Sequence, residues 1–305
     1  MATPHLNNVH AMHQPDPSGM PTRGHLGGPP LLSVANLDKS YGSTRVLKGL
    51  NFSLYAGEMV AVIGRSGAGK STLLHVMNGS VAATGGTLRY HTSAGAGTAG
   101  ERDILTSNAR QWREWRSDCG MIFQDFCLVP RLDVMTNVLL GRLNATSSLK
   151  SFFKIFTQED RARAITLLEW LGLLPQALQR AENLSGGQMQ RVAIARALVQ
   201  EAEVIFADEP IASLDPRSAR EVMEILQRIN REDGRTIVVT LHQVDVARRY
   251  CRRAIALKQG RLYYDGPIEG LTDSRLQTLY ENAGLDELES RQLDPRMATP
   301  LHAVG

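Results

Sequence analysis

The sequence predicts an α/β fold, a sheet of short buried strands alternating with helices. Three observations predict it. Met59-Val60-Ala61-Val62-Ile63 is an apolar run that leads into Gly64-Arg65-Ser66-Gly67-Ala68-Gly69-Lys70-Ser71, and Ser71–Asn78 continues with helical character. A second apolar run, Glu203–Ala207, ends in Asp208-Glu209-Pro210. A third, Arg235–Leu241, is followed at once by His242. Open α/β sheets bind ligands at the carboxyl ends of their strands, and all three runs carry polar residues there.

Strand, G-x-x-x-x-G-K-S and helix in that order form the phosphate-binding loop of nucleoside triphosphatases. Glycines let the backbone turn tightly and aim its N–H groups at phosphate oxygens. Lys70 can reach the β- and γ-phosphates, Ser71 can place its hydroxyl on Mg²⁺, and the helix N-terminus adds positive charge. Gly79 is placed to close that helix.

Composition bounds the alternatives. The chain has 305 residues, 43% hydrophobic and 21% charged, which is enough for one large domain or two small ones and for a substantial core. A net charge of +3 is too small to argue for nucleic acid. No apolar run approaches a membrane span, and the N-terminus has no apolar signal region, so a cytosolic chain is expected. Cys119, Cys127 and Cys251 form no C-x-x-C, so idle thiols are expected rather than a disulfide framework or a zinc site.

Residues 1–30 are rich in Pro, Gly, His and Asn without periodicity and read as a disordered tail; order begins near Leu31. Leu32, Val34 and Leu37 suggest a first strand, and Leu50, Phe52 and Leu54 a second, with Tyr41-Gly42 between them. Tyr41 either joins the core or stacks on a base. Residues 84–108, with Ser93–Gly97, read as a loop or hairpin, and Gln111–Arg116 as two turns of a surface helix. Gly120–Phe123 is a short strand ending in Gln124. Asn137–Leu140 and Arg161–Leu171 have helical spacing, with Ile165, Leu168 and Leu171 on one face, Thr157 and Asp160 as a capped start and Gly172 as a stop. Ser151–Phe156 is an apolar patch suited to core packing or to a membrane-embedded partner.

Ser185-Gly186-Gly187-Gln188 opens an amphipathic helix through Val192, Ala195, Leu198 and Val199, and aims backbone N–H groups and a hydroxyl at an anion. Asp208 can hold Mg²⁺ through water, and Glu209 can polarise an attacking water. Asp215 caps and Pro216 starts a helix carrying Val222, Ile225, Leu226 and Ile229. Ala254–Leu257 and Gly260–Tyr264 form a last strand pair, and a frayed tail follows residue 280.

These pieces in this order resemble the nucleotide-binding subunit of ATP-binding-cassette (ABC) transporters, over residues 31–280. The resemblance implies a P-loop NTPase fold: a recombinase-like (RecA-like) core, an antiparallel β subdomain, and a helical subdomain inserted at about 125–190, with tails at 1–30 and 281–305. It implies ATP and Mg²⁺, and a homodimer in which the phosphate loop of one copy and the Ser-Gly-Gly-Gln of another clasp one ATP. By resemblance Tyr41 stacks on adenine. Gly64, Arg65, Ser66, Gly67, Ala68, Gly69, Lys70, Ser71 and Thr72 hold phosphates, with Ser71 also on the metal. Gln124 senses the γ-phosphate and metal and links to the permease; Asp208 supports the metal, Glu209 is the base, His242 contacts the γ-phosphate, and Asp215 crosses the interface. Two integral-membrane permease subunits and, indirectly, a periplasmic binding protein complete the assembly at the cytoplasmic face of the inner membrane. Phe123–Leu132, Thr136–Leu139 with Gly141–Leu143, Ser151–Phe153 and Leu241–Cys251 look like the corresponding stretches of phosphonate importers, with phosphate, phosphite or another oxyanion as the neighbouring cargo classes. The competing classes are cassette ATPases acting on nucleic acid or ribosomes, and a small-molecule kinase. The first lack support here in heptads, second cassette or charge, and kinases lack the Ser-Gly-Gly-Gln helix.

Overall fold

The computed structural model describes residues 29–92, 100–145 and 156–281. The tails and the 93–99 and 146–155 stretches, including Phe152 and Phe153, lie outside the described residues.

A hairpin of β1 (Leu32–Tyr41) and β2 (Thr44–Leu54) opens the structure, turning at Gly42 with φ 56°. With β4 (Gly85–Thr92) and β5 (Gly100–Asp103) it forms a four-stranded antiparallel sheet in the order β2-β1-β4-β5. The second sheet has six strands in the order β10-β9-β3-β8-β7-β6. Its strands are β3 (Met59–Ile63), β6 (Cys119–Ile122), β7 (Val204–Ala207), β8 (Thr236–Thr240), β9 (Arg253–Lys258) and β10 (Arg261–Pro267). All neighbours are parallel except the β9–β10 hairpin at one edge.

The parallel strands are apolar throughout because both of their faces are covered. Val60, Val62, Val204, Phe206 and Val238 face one core, shared with the antiparallel sheet and with α1 (Lys70–Met77). Met59, Ala61, Ile63, Ile205, Ala207, Ile237 and Val239 face the other, under α6 (Pro216–Asp233) and α7 (Val244–Tyr250). A third core joins α3 (Val134–Leu139), α4 (Gln158–Trp170) and α5 (Gly186–Val199) around Val138, Leu168, Leu171 and Val192. The last described helix is α8 (Asp273–Tyr280). Among the described residues no helix is long and apolar enough to cross a membrane.

Several local expectations hold and two change. Thr157 and Asp160 form a capping box, and Asp215 caps α6 with Pro216 at the first position. Ile165, however, is 43% exposed; the buried face of α4 runs through Ala164 and Leu168 to Leu171. Helix α2 (Ala109–Asp118) is not a simple surface helix, because Trp115 is fully buried and its indole N–H donates to the Met77 carbonyl at 2.8 Å. Trp112 lies over Gly79, where a Cβ would come within 2.1 Å of the ring. Arg253 ties the layers together, pairing with Asp265 and Glu58 and donating to the Ser53 carbonyl at 2.8 Å.

Candidate functional site

The loop between β3 and α1 is shaped by its glycines. Gly64 has φ 150°, and a Cβ there would meet the Leu257 carbonyl oxygen at 2.4 Å. Gly69 has φ 99°, with Leu47 Cδ2 at 2.9 Å from a Cβ built on it. Gly69 is also the N-cap of α1 and supplies no capping side chain, so the first amides of the helix are left for a ligand. Lys70 is 4% exposed; its Nζ donates to the carbonyls of Gly64 at 3.1 Å and Arg65 at 3.2 Å. Burial lowers the Lys70 pKa, and Glu209 and Asp208 pull the other way. An uncapped helix terminus, a tight backbone cradle and a buried ammonium together fit a polyphosphate.

The strand ends converge on this loop. Asp208, 5% exposed, accepts from Ser71 Oγ at 3.0 Å and from Thr240 Oγ1 at 2.8 Å, both through Oδ1. This serine hydroxyl and buried carboxylate are hard oxygen donors, the set that Mg²⁺ takes alongside phosphate and water. Glu209 sits in the left-handed region with φ 47°, its backbone N–H donating to Thr240 Oγ1 at 2.7 Å. Its carboxylate lies 2.5 Å from His242 Nε2 and 3.9 Å from Lys70 Nζ. Lys70, Ser71, Asp208, Glu209 and His242 are therefore one cluster, assembled from three parallel strands.

Gln124, Tyr41, Ser185, Gln188 and Asp215 stand on other elements. Gln124 is exposed two residues beyond β6, whose Ile122 carbonyl accepts from Asp208 N at 2.8 Å. Tyr41 is 51% exposed at the tip of the β1–β2 hairpin, with Lys39 Nζ 4.6 Å from its ring centre. Val46 and Leu47, further along β2, border Gly69. Ser185 and Gln188 form a capping box at the start of α5, so the serine oxygen accepts from Gln188 N at 3.3 Å and keeps its own proton to donate. This end of α5 rests on the Ser213–Ser218 turn: a Cβ on Gly187 would meet Ser218 Oγ at 2.6 Å and one on Gly186 would meet Leu214 Cδ2 at 3.4 Å. Asp215 accepts from Arg217 N and Ser218 N, both at 3.0 Å, and the Ser218 hydrogen bonds hold its pKa low.

Sequence reasoning missed two members of the cluster. Thr240 is fully buried and bridges Asp208 to Glu209, but in a run of β-branched residues it reads as strand filler; a hydroxyl at the carboxyl end of an apolar strand was the available signal. His75, one turn into α1, lies 3.9 Å from Asp208 Oδ2 and beside the Phe123 ring.

Known proteins resemble this chain in sequence and fold. The family described as ABC transporter matches residues 47–212, more than half of the chain. The chain is 50% identical to the phosphonates import ATP-binding protein PhnC of Stutzerimonas stutzeri, covering 84% of this chain and 91% of that protein. It is 45% identical to the protein of the same name from Rhizobium johnstonii, covering 84% and 90%. Among solved structures, a dimeric post-hydrolysis ATP-binding cassette bound to ADP and Pi is 32% identical with a TM-score of 0.66, covering 78% of this chain and 98% of that one. The protein cbiO1 of Clostridium perfringens, part of the cbiONQ ABC transporter complex, is 29% identical with a TM-score of 0.67, covering 86% and 98%.

Proposed function

Since the chain belongs to the ABC transporter family, we propose that it is the ATP-hydrolysing subunit of a phosphonate importer. The observation that carries the hydrolytic half is the single cluster of Lys70, Ser71, Asp208, Glu209 and His242 around an uncapped helix terminus. The cargo rests on half of the aligned residues being shared with a phosphonates import ATP-binding protein across nearly its whole length.

In this reading the amides of residues 67–72 and Lys70 bind the β- and γ-phosphates of ATP, and Tyr41 offers its exposed ring to the adenine. Ser71, Asp208 and Gln124 would hold Mg²⁺, which when bound would neutralise phosphate charge. Glu209 orients a water and takes its proton. The water oxygen bonds to the γ-phosphorus, the bridging P–O bond breaks, and ADP and phosphate leave. His242, already hydrogen-bonded to Glu209, turns toward the γ-phosphate.

Ser185-Gly186-Gly187-Gln188 lies on the Ser213–Ser218 turn, and a second copy brings its own such segment to the γ-phosphate. Two surfaces gripping one nucleotide make closure depend on that phosphate, and its loss reopens the dimer. Two permease subunits at the cytoplasmic face of the inner membrane convert this cycle into transport.

The test is Glu209→Gln in a cell lacking its own phosphonate importer, supplied with the cognate permease. Wild-type chain is expected to support uptake of labelled aminoethylphosphonate, with an excess of phosphate or phosphite competing poorly. Glu209→Gln is expected to bind ATP, form an ATP-dependent dimer and lose about 10²–10⁴ of the hydrolysis rate. Hydrolysis near the wild-type rate in that variant removes Glu209 from its role, and phosphonate uptake that phosphate abolishes reassigns the cargo.

A further inference from the structure

The geometry points to Arg196 as a positioning residue whose guanidinium latches the strained turn after Gln124 to helix α5, so that the two move as one piece. This rests on the proposed role of Gln124 for its functional meaning, but its structural basis is independent. Phe126 and Cys127 are consecutive non-glycine residues in the left-handed region, with φ 58° and 48°. Cys127 N–H bonds to the Asp125 carbonyl at 2.5 Å, closing a three-residue turn around Phe126. Turns of this hand are rare and strained, and bulky residues avoid positive φ unless their surroundings impose it.

Arg196 is the group that imposes it. Its Nη1 donates to the Cys127 carbonyl at 2.5 Å and its Nη2 to the Phe126 carbonyl at 2.8 Å. The planar fork thus fixes both strained peptides together. Phe126 also lies close to the start of the same helix, where a Cβ built on Gly186 would sit 4.0 Å from Phe126 Cζ. The turn is therefore held by a side chain rooted ten residues into α5 and lies close to the Ser-Gly-Gly-Gln start of the same helix. Beyond it, the Asn137 side chain accepts from Val129 N at 2.8 Å and donates to the Val129 carbonyl at 3.1 Å, which removes slack from the loop. A shift of Gln124 on meeting a phosphate is carried through this latch to Ser185–Gln188 of the same chain, setting where that segment meets the other copy's nucleotide.

The protein carries its own reporter. Cys127 is exposed, whereas Cys119 and Cys251 are buried. In the full-length chain, Arg196→Met is expected to speed maleimide labelling of Cys127 about tenfold and to lower kcat about 10–100-fold, as displaced catalytic geometry does. Affinity for a fluorescent ATP analogue should stay within about twofold of wild type, since the phosphate loop is untouched. Adding Cys127→Gly to Arg196→Met should restore part of kcat, because glycine holds positive φ without a latch. Should Arg196→Met lose its far-ultraviolet dichroism, Arg196→Lys carries the same readouts with one forked donor removed. Unchanged labelling, faster labelling at unchanged kcat, or no recovery with glycine each overturns the latch. Gln124→Ala run in parallel separates the two readings: normal hydrolysis there removes the phosphate-sensing role, while labelling and rescue still decide the latch.

Discussion

Thr240→Val tests whether one buried hydroxyl organises both acids. Thr240 is fully buried, and valine has nearly its shape, so the substitution opens no cavity. It removes the hydrogen bond to Asp208 Oδ1 and leaves Glu209 N–H without its acceptor. An orphaned buried N–H costs about 1–3 kcal/mol, and a hydrogen bond to a charged group is worth about 1.5–3 kcal/mol. Ser71 still donates to the same Asp208 oxygen, which offsets part of the second loss. We therefore expect a destabilisation of about 2–4 kcal/mol, a fall in Tm of roughly 5–15 °C at the 2–4 °C per kcal/mol of a domain this size. The larger effect falls on chemistry. Glu209 holds φ 47° against ordinary preference, and losing its anchor frees it to relax away from the water it is proposed to orient. A drop in kcat of about 10–100-fold follows, part of what a general base contributes. KM for ATP should hold, because Thr240 makes no hydrogen bond to the phosphate loop. Phosphate release over an ATP titration, with Thr240→Ser as the variant that keeps the hydroxyl, measures both. A kcat within about threefold of wild type, or a KM increase at constant kcat, refutes the reasoning.

Three further outcomes are expected. Burial, then repulsion from Glu203, raises the Asp118 pKa from 3.8 to about 6, so its contribution to stability is present below pH 4 and is lost as pH rises through about 6. Asp118→Asn should accordingly raise Tm at pH 8, by about 1–2 kcal/mol of stability once solvent screening is discounted, and change little at pH 4 in paired thermal melts. Arg253→Met strands Glu58 and Asp265 at the junction of the two sheets, and a loss of about 3–5 kcal/mol in urea unfolding is expected; an unchanged midpoint means the junction stands without the pair. Gly69→Ala must hold φ 99° and press on Leu47, so the thermal shift that Mg-ATP gives wild type should largely vanish, as differential scanning fluorimetry will show.

What was legible in the sequence is what the chain states contiguously. The phosphate loop is one uninterrupted stretch, and Ser71, Asp208, Glu209 and His242 stand at the ends of short apolar runs, where parallel topology gathers them. Caps are equally local: Thr157 with Asp160, and Asp215 with Pro216, depend on spacings of a few residues. Partners far apart in sequence were not legible. Trp115 looks like part of a polar helix until the Met77 carbonyl, 38 residues earlier, accepts its indole N–H and Gly79 makes room for the Trp112 ring. Thr240 acts on residues 31 and 32 positions away, and Arg196 on carbonyls 69 and 70 positions away. In each case the signal exists only after the chain has folded.

Helix caps also separate the two anion-facing elements. Helices α2, α3, α4, α5, α6 and α8 begin on a side chain that accepts from their first turn: Asn108, Asp133, Thr157, Ser185, Asp215 and Thr272. Helix α1 begins on Gly69 and α7 on Gln243, neither with a side-chain cap, but only α1 follows the glycine-rich loop. A side-chain cap there would occupy the donors that phosphate needs, and the φ of 99° already excludes an ordinary one. Leaving those amides free costs stability in the empty chain, and that cost is returned when nucleotide binds. Helix α5 does the reverse: its cap is complete, so Ser185-Gly186-Gly187-Gln188 is a rigid, finished surface before any ligand arrives. A chain with an uncapped helix end at its glycine-rich loop and a pre-formed donor face on a separate element is suited to meeting another copy of itself around a nucleotide. On the proposed function, a strong grip on ATP at α1 and a light one at α5 would make the dimer contact, rather than nucleotide affinity, the step that hydrolysis switches.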